Sequence, residues 1–143
     1  MQKSVLIVED DNDILELLKL YLESSNFLVY VAYDGIDAFE LLEKEKINII
    51  IADIMMPRMN GYELIKSVRV NSNIPIIIIS AKNMDSDKIL GLHIGADAYI
   101  TKPFNPLEVV AYVKALLRRY NEFEESNKES DVTVSYTHLT LPT

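Results

Sequence analysis

Apolar and polar positions run along this chain in two rhythms. Short continuous apolar runs predict strands buried on both faces, and longer stretches with apolar residues three and four apart predict helices. Ser4–Val8 is the first such strand. It stops at Glu9-Asp10-Asp11, and Ile14, Leu15, Leu17, Leu18, Tyr21 and Leu22 mark a helix after it. An Asp or Asn of the acidic cluster is placed to cap that helix, whose dipole suits early carboxylates. Phe27–Ala32 is the second strand, and Asp34-Gly35 turns the chain into a helix with Ile36, Ala38, Phe39 and Leu42 facing inward. Ile47–Ala52 ends at Asp53, and a loop with Pro57 and Gly61 leads to a helix over Tyr62–Val70. Ile74–Ile79, with Pro75 near its start, ends at Ser80 and precedes a helix over Asp85–Ile94. Ala98–Thr101 is a short fifth strand, followed by Lys102-Pro103 and a helix from Pro106 to Tyr120.

Five strands alternating with five helices imply right-handed crossovers and a parallel sheet covered on both faces, a doubly wound α/β sandwich. In such sheets ligands bind outside the carboxyl ends of the strands, near the switch in strand order. A length of 143 residues suits one domain of this kind and is too short for two.

Charge and composition narrow the function. Fourteen basic against 22 acidic residues leave a net charge of −8, which argues against this chain gripping nucleic acid by itself. Residues 121–133 hold five acids and one lysine, so that stretch supplies −4 of the −8 and reads as an acidic linker. The absence of cysteine excludes disulfides, thiolate metal sites and cysteine nucleophiles. No apolar run approaches the roughly 20 residues of a membrane span, and the first residues are too short for a secretory signal. A cytoplasmic protein without a redox role, and with no membrane partner, is expected.

The unusual residues lie at the strand ends. Glu9 and Asp10 follow the first strand, Asp53 the third, Ser80 the fourth and Lys102 the fifth. Any one of them would pass as a turn or cap residue; together they converge on one edge of the sheet. Three carboxylates near one another repel by roughly 1–4 kcal/mol per pair at 4 Å and effective dielectrics of 80 to 20, which a bound cation relieves. With no cysteine and no histidine nearby, oxygen donors suit Mg²⁺ or Mn²⁺ rather than Zn²⁺. An ammonium at Lys102 would complete a site for a phosphoryl group that a carboxylate could attack.

At these residues the chain resembles the receiver domain of two-component response regulators. The matching strings are VLIVEDD (5–11), IIIADIMMPRMNGYELI (49–65), IPIIIISAK (74–82) and GADAYITKPFNPLEVVAYVKALLRR (95–119), so the likeness covers about residues 3–120. It implies the flavodoxin-like (βα)5 fold with strand order 2-1-3-4-5. By motif position, Asp53 would be the phosphoacceptor, attacking a phosphohistidine of a sensor histidine kinase. Glu9 and Asp10 would be the acidic pair that binds Mg²⁺ (or Mn²⁺), with Asp53 and the backbone carbonyl of Met55 completing the protein ligands. Lys102 would contact the phosphate, Ser80 would move to bind it, and Tyr99 would swing inward as Ser80 moves. Pro103 would follow a cis peptide bond. The resemblance implies a switch that catalyses its own phosphorylation and hydrolysis, not an enzyme in the turnover sense.

The last helix is similar to that of the winged-helix subfamily, whose receivers dimerise through helix 4, strand 5 and helix 5. There Lys88 and Glu108 match one ion pair across the dimer axis, and Asp97 with Arg118 or Arg119 matches another. Ala98 and Tyr112 replace a third pair together, which leaves no lone buried charge; a homodimer with a tyrosine-based contact is expected. The closing VSYTHLTLPT (134–143) resembles a translated transposon-type sequencing adaptor, so a gene truncated where a DNA-binding domain would begin is expected. A stand-alone receiver acting through protein contacts is the alternative. An aspartyl-phosphate phosphatase would need an acid at Met55, and a flavin module would need a phosphate loop where Glu9-Asp10-Asp11 stands.

Overall fold

A computed structural model describes residues 2–55, 61–82 and 84–129. The elements are β1 (Ser4–Val8), α1 (Asn12–Ser24), β2 (Leu28–Ala32), α2 (Gly35–Lys44), β3 (Ile49–Asp53), α3 (Gly61–Asn71), β4 (Ile76–Ser80), α4 (Asp85–His93), β5 (Ala98–Thr101) and α5 (Pro106–Glu129). The strands form one parallel sheet in the order β2-β1-β3-β4-β5, the doubly wound arrangement the pattern predicts. The loop around Pro57 and the tail at 134–143 lie outside the described residues.

Side-chain alternation divides the core into two layers. Val5, Ile7, Ile49, Ile51, Ile77, Ile79 and Ile100 pack beneath Leu18 and Leu22 of α1 and Val109, Val113 and Leu117 of α5. Leu6, Val8, Ile50, Ala52, Ile76 and Ile78 face the other way, against Ala38 of α2 and Leu64, Ile65 and Val68 of α3. β1, β3 and β4 are buried along their whole length, which is why they read as unbroken aliphatic runs. Asp11 caps α1, its Oδ1 accepting from the Asp13 and Ile14 N–H groups at 2.9 and 3.4 Å. Asp34 caps α2 by accepting from Asp37 N–H at 2.9 Å.

Three expectations need correction. Ile36 and Phe39 are not inward: they are 38% and 37% exposed. Gly35 and Ala38 are the buried positions of α2, and such small residues bring the helix backbone close to the sheet and leave its larger neighbours at the rim. β3 and β4 begin later and end later than the apolar runs, at Ile49–Asp53 and Ile76–Ser80. Pro75 has no N–H to give a ladder, and its carbonyl instead accepts from Ile50 N–H at 3.0 Å. Finally, α5 does not stop at Tyr120 but runs on to Glu129, into the stretch read as a linker. That stretch contains neither Gly nor Pro, so nothing in it breaks the helix.

The edge of the sheet opposite the strands' carboxyl ends is fastened by Arg69, in the last turn of α3. Its guanidinium donates to Gly95 O through Nε (3.0 Å) and one terminal nitrogen (2.8 Å), and to Ser72 O and Ile74 O through the other (3.2 and 2.7 Å). It also pairs with Asp97 Oδ2 at 3.0 Å, an oxygen that accepts from Ile76 N–H at 2.8 Å. Gly95 has φ +125°, and a Cβ there would sit 2.9 Å from Arg69 Cγ, so the arginine needs glycine beneath it. Arg69→Ala is expected to lower the urea-unfolding free energy by about 2–3 kcal/mol, because it strands several carbonyls and the Asp97 carboxylate at once. Arg69→Lys is expected to recover less than half, since a point ammonium cannot reproduce the planar fork; full recovery would show that charge alone matters.

Candidate functional site

The parallel register delivers the strand-end residues to one edge. Asp53 is the last residue of β3 and lies beside Ile79, one residue before Ser80 closes β4. Ser80 pairs with Thr101 in β5, and its carbonyl accepts from Lys102 N–H at 2.8 Å. Glu9 extends β1, with its N–H on Ala32 O at 3.0 Å. Glu9, Asp53 and Ser80 are buried, at 3%, 5% and 0% exposure, while Asp10 is exposed. The Lys102–Pro103 peptide bond is cis.

The Lys102 ammonium sits between two of the carboxylates, 2.9 Å from Asp53 Oδ2 and 3.2 Å from Glu9 Oε1. Asp53 Oδ1 accepts from Met55 N–H at 2.8 Å, and Glu9 Oε2 from Asp11 N–H at 3.1 Å. Glu9, Asp10 and Asp53 each offer one oxygen, and these three oxygens lie within 4.8 Å of one another. A close set of hard anionic donors without nitrogen or sulfur fits a divalent cation of the Mg²⁺ or Mn²⁺ type. Asp10, exposed beside the two buried acids, leaves the cluster open to solvent on one side.

Gly61 shapes this site by closeness. A Cβ there would lie 2.7 Å from Ile54 Cα and 2.9 Å from Asp53 O, so α3 begins directly against the backbone that carries Asp53. Close packing against that backbone is what requires the glycine. Beside the carboxylates, Ser80 Oγ accepts from Lys82 N–H at 3.1 Å, and the Tyr99 hydroxyl donates to Lys82 O at 3.0 Å. The proposed switch residues therefore share one stretch of the β4–α4 connection. Two residues of consequence went unread in the sequence: Arg69, and Tyr62 of α3, which joins the core layer containing Tyr99. Neither belongs to a motif with chemistry of its own.

The residues matched to a dimer face lie on α4, β5 and α5 or just before β5. Lys88 is half-buried, and Glu108, Tyr112, Arg118 and Arg119 are exposed. Asp97 is already engaged within the chain by Arg69 and Ile76 N–H.

Electrostatics at the site follow from burial. Burial raises the Glu9 carboxyl to about 7, with the Asp53 charge adding to the effect and Lys102 only partly offsetting it. Burial alone would lower the Lys102 ammonium, but Asp53 and Glu9 outweigh it and hold its pKa above the ordinary lysine value. Between about pH 4.5 and 7, the folded, metal-free protein keeps a Glu9 proton that the unfolded chain has released. Metal-free stability should therefore fall as pH rises through that window, by at most about 3 kcal/mol. A cation must displace the same proton, so Mg²⁺ should bind more weakly at pH 6 than at pH 8. Urea unfolding in chelator across this range, on wild type and Glu9→Gln, checks the effect; an unchanged slope in the variant would assign it elsewhere.

Comparison with known proteins places this arrangement. Residues 5–114 match the family described as response regulator receiver domain. The chain is 48% identical over 143 residues to the response regulator GtcR of Aneurinibacillus migulanus, covering 99% of this chain and 59% of that protein. It is 40% identical to the regulatory protein VanR of Enterococcus faecium, covering 99% and 61%. It thus spans about three-fifths of the length of these curated relatives. Among solved structures, the receiver domain of the Francisella response regulator 1452 superposes with a TM-score of 0.80 at 37% identity, covering 83% of this chain and 99% of that one. A two-component response regulator from Clostridium difficile gives 0.80 at 32% identity, covering 84% and 99%. With the family match spanning most of the chain and the acidic pocket at the strand ends, this protein belongs to the response regulator receiver domains.

Proposed function

We propose that this chain is the phosphorylation-controlled receiver of a transcriptional response regulator, with Asp53 as its phosphoacceptor. The observation that carries the reading is the position of Asp53: buried at a strand end, 2.9 Å from the Lys102 ammonium, with Glu9 and Asp10 oxygens within 4.8 Å. An Asp53 carboxylate oxygen attacks the phosphorus of a phosphohistidine on a sensor histidine kinase. The P–N bond breaks, its electron pair returns to the imidazole nitrogen, which takes a proton from solvent, and an aspartyl phosphate remains. Lys102 and the Met55 N–H are placed to meet the phosphoryl oxygens, and Ser80 supplies a hydroxyl one strand away. Glu9, Asp10 and Asp53, with the Met55 carbonyl, would hold a divalent cation, which when bound neutralises charge building on the transferring group. The same site would hydrolyse the acyl phosphate slowly, as a timer.

Activation would pair two copies through α4, β5 and α5. In support, α4 and α5 leave Ile89, Leu90, Leu92, Leu107 and Tyr112 exposed, an apolar set beside Lys88, Glu108, Arg118 and Arg119. The greater length of the relatives is consistent with a DNA-binding output domain in the whole protein, and the two named as regulators favour a transcriptional role. The winged-helix subfamily and a cytoplasmic location are part of this reading. No helix among the described residues is long and apolar enough to cross a membrane.

Incubation with acetyl phosphate and Mg²⁺ is expected to add one phosphoryl group, about 80 Da by intact mass. Asp53→Asn should add none, and chelator should abolish the gain. A folded wild type that never gains mass would refute the phosphoacceptor assignment. Sedimentation after beryllofluoride treatment is expected to show a dimer that Tyr112→Ala weakens several-fold. A strictly monomeric wild type at high micromolar concentration would remove the dimer from the reading.

A further inference from the structure

Tyr62, the second residue of α3, carries the one described buried side-chain polar atom without a hydrogen-bond partner: its hydroxyl is sealed from solvent and bonded to nothing. A buried donor left unmade is costly, and native structures keep few of them without a reason. The surroundings supply one. Tyr62 packs in the same core layer as Tyr99. Asp87 lies one helical turn before Gly91, on the side of α4 that meets the Tyr99 ring, and burial, then Tyr99 and the Asp87 carboxylate, raise the Tyr62 pKa. Tyr99 feels Asp87 in the same way.

The element carrying Asp87, α4, is thinly anchored. Gly91 is the only buried residue of α4, and its Met84 N-cap provides no side-chain bond. Gly91 holds α4 close, because a Cβ there would meet Ile78 Cδ1 at 2.8 Å and the Tyr99 ring at 3.0 Å. A shift of the first turn of α4, with Asp87, would cost little side-chain burial as long as the contact at Gly91 is kept. The link to the site is short. Ser80 Oγ holds Lys82 N–H, and Lys82 O holds the Tyr99 hydroxyl, at 3.1 and 3.0 Å. Turning Ser80 toward Asp53 would release Lys82, and with it the connection that sets the start of α4.

We propose that Tyr62 is a positioning residue for this switch: its hydroxyl, unpaired in the structure described, donates to the Asp87 carboxylate when the first turn of α4 shifts, and so favours the shifted state. The idea rests on the phosphorylation reading above. An orphan hydroxyl in one state and a charge-assisted bond in the other give the equilibrium a built-in bias that a phosphoryl group can tip. Tyr62 thereby couples the start of α3, seated on the Asp53–Ile54 backbone through Gly61, to α4.

The test uses Tyr62→Phe, Asp87→Ala and the double variant in the full chain. Without beryllofluoride, urea unfolding should show Tyr62→Phe as stable as wild type or more so, since only an unmet donor is lost. With Mg²⁺, beryllofluoride is titrated while backbone amide NMR follows Lys102 at the site and residues 85–91 of α4 separately. Each single variant is expected to need about tenfold more beryllofluoride for the α4 response, and the double variant no more than either single. A destabilised resting Tyr62→Phe, or effects that simply add, would overturn the proposal. So would site binding with an unaltered α4 response in Tyr62→Phe, which leaves the phosphorylation reading standing. A wild type whose Lys102 amide never responds would bring down both.

Discussion

One ammonium group organises the strand-end edge. Lys102, carried just past β5, reaches across β4 to Asp53 on β3 and Glu9 past β1, at 2.9 and 3.2 Å. Two buried carboxylates so close together repel, and stripping the lysine away would leave both uncompensated in a place where unpaired charge is costly. The pair also demands register. A slip of one residue in any of β1, β3 or β5 would turn its charged group to the other face of the sheet. The ladder that prevents such a slip runs through the central aliphatic strands, whose side chains fill both layers of the core. Burial raises Glu9 first, and the neighbouring Asp53 charge adds to it; with one ammonium among three acids, the cluster suits a divalent ion.

The two edges of the sheet are built on opposite principles. Around Arg69, the guanidinium spreads its bonds over three carbonyls and a carboxylate, tying the end of α3 to the start of β4 and to the α4–β5 connection. Around Asp53, the acids are undercompensated, α4 lacks a side-chain cap, and a tyrosine hydroxyl lies buried without a partner. Departures from full satisfaction concentrate where a protein has a function to perform. A firm edge lets the other edge move without loosening the fold, because elements of low local stability can then shift against fixed ones.

Much of this was legible in the sequence, for identifiable reasons. Strands buried on both faces leave runs such as IIIA and IIII that no other local structure explains as well, and a charged residue closing such a run is conspicuous. Asp53, Glu9 and Lys102 were found that way, and the parallel topology brought them together. Features that depend on distance between elements were not legible. Ile36 and Phe39 fit an inward helical stripe, yet Ala38 and Gly35 are what the sheet accepts. Arg69 looks like an ordinary basic residue near a helix end until Gly95 and Asp97 are folded beside it. The continuation of α5 to Glu129 was hidden because acidic composition suggests a linker while the same residues sustain a helix. Tyr62 follows a glycine in a helix start, and nothing local marks its hydroxyl as stranded.

On the proposed reading, the arithmetic of charge accounts for why a change at Asp53 would travel toward α4 rather than be absorbed in place. A phosphoryl group carries close to two negative charges where the Asp53 carboxylate carried one, so the cluster gains about one more, and its lysine is already shared between two acids. A bound cation and Lys102 meet part of that demand, and further donors must come from groups now engaged elsewhere. The Met55 N–H is already on Asp53, at 2.8 Å. Ser80 is the next polar side chain along that edge, fully buried, and its oxygen is held by Lys82 N–H. Drawing it to the phosphoryl group exchanges one hydrogen bond for a charge-assisted one, a favourable trade at the site. The cost would fall on the β4–α4 connection, where Lys82 also holds Tyr99 and beyond which Gly91 is the one buried residue of the helix. On that reading the signal would leave the site through α4, whose first turn has no side-chain cap and whose one buried residue is Gly91.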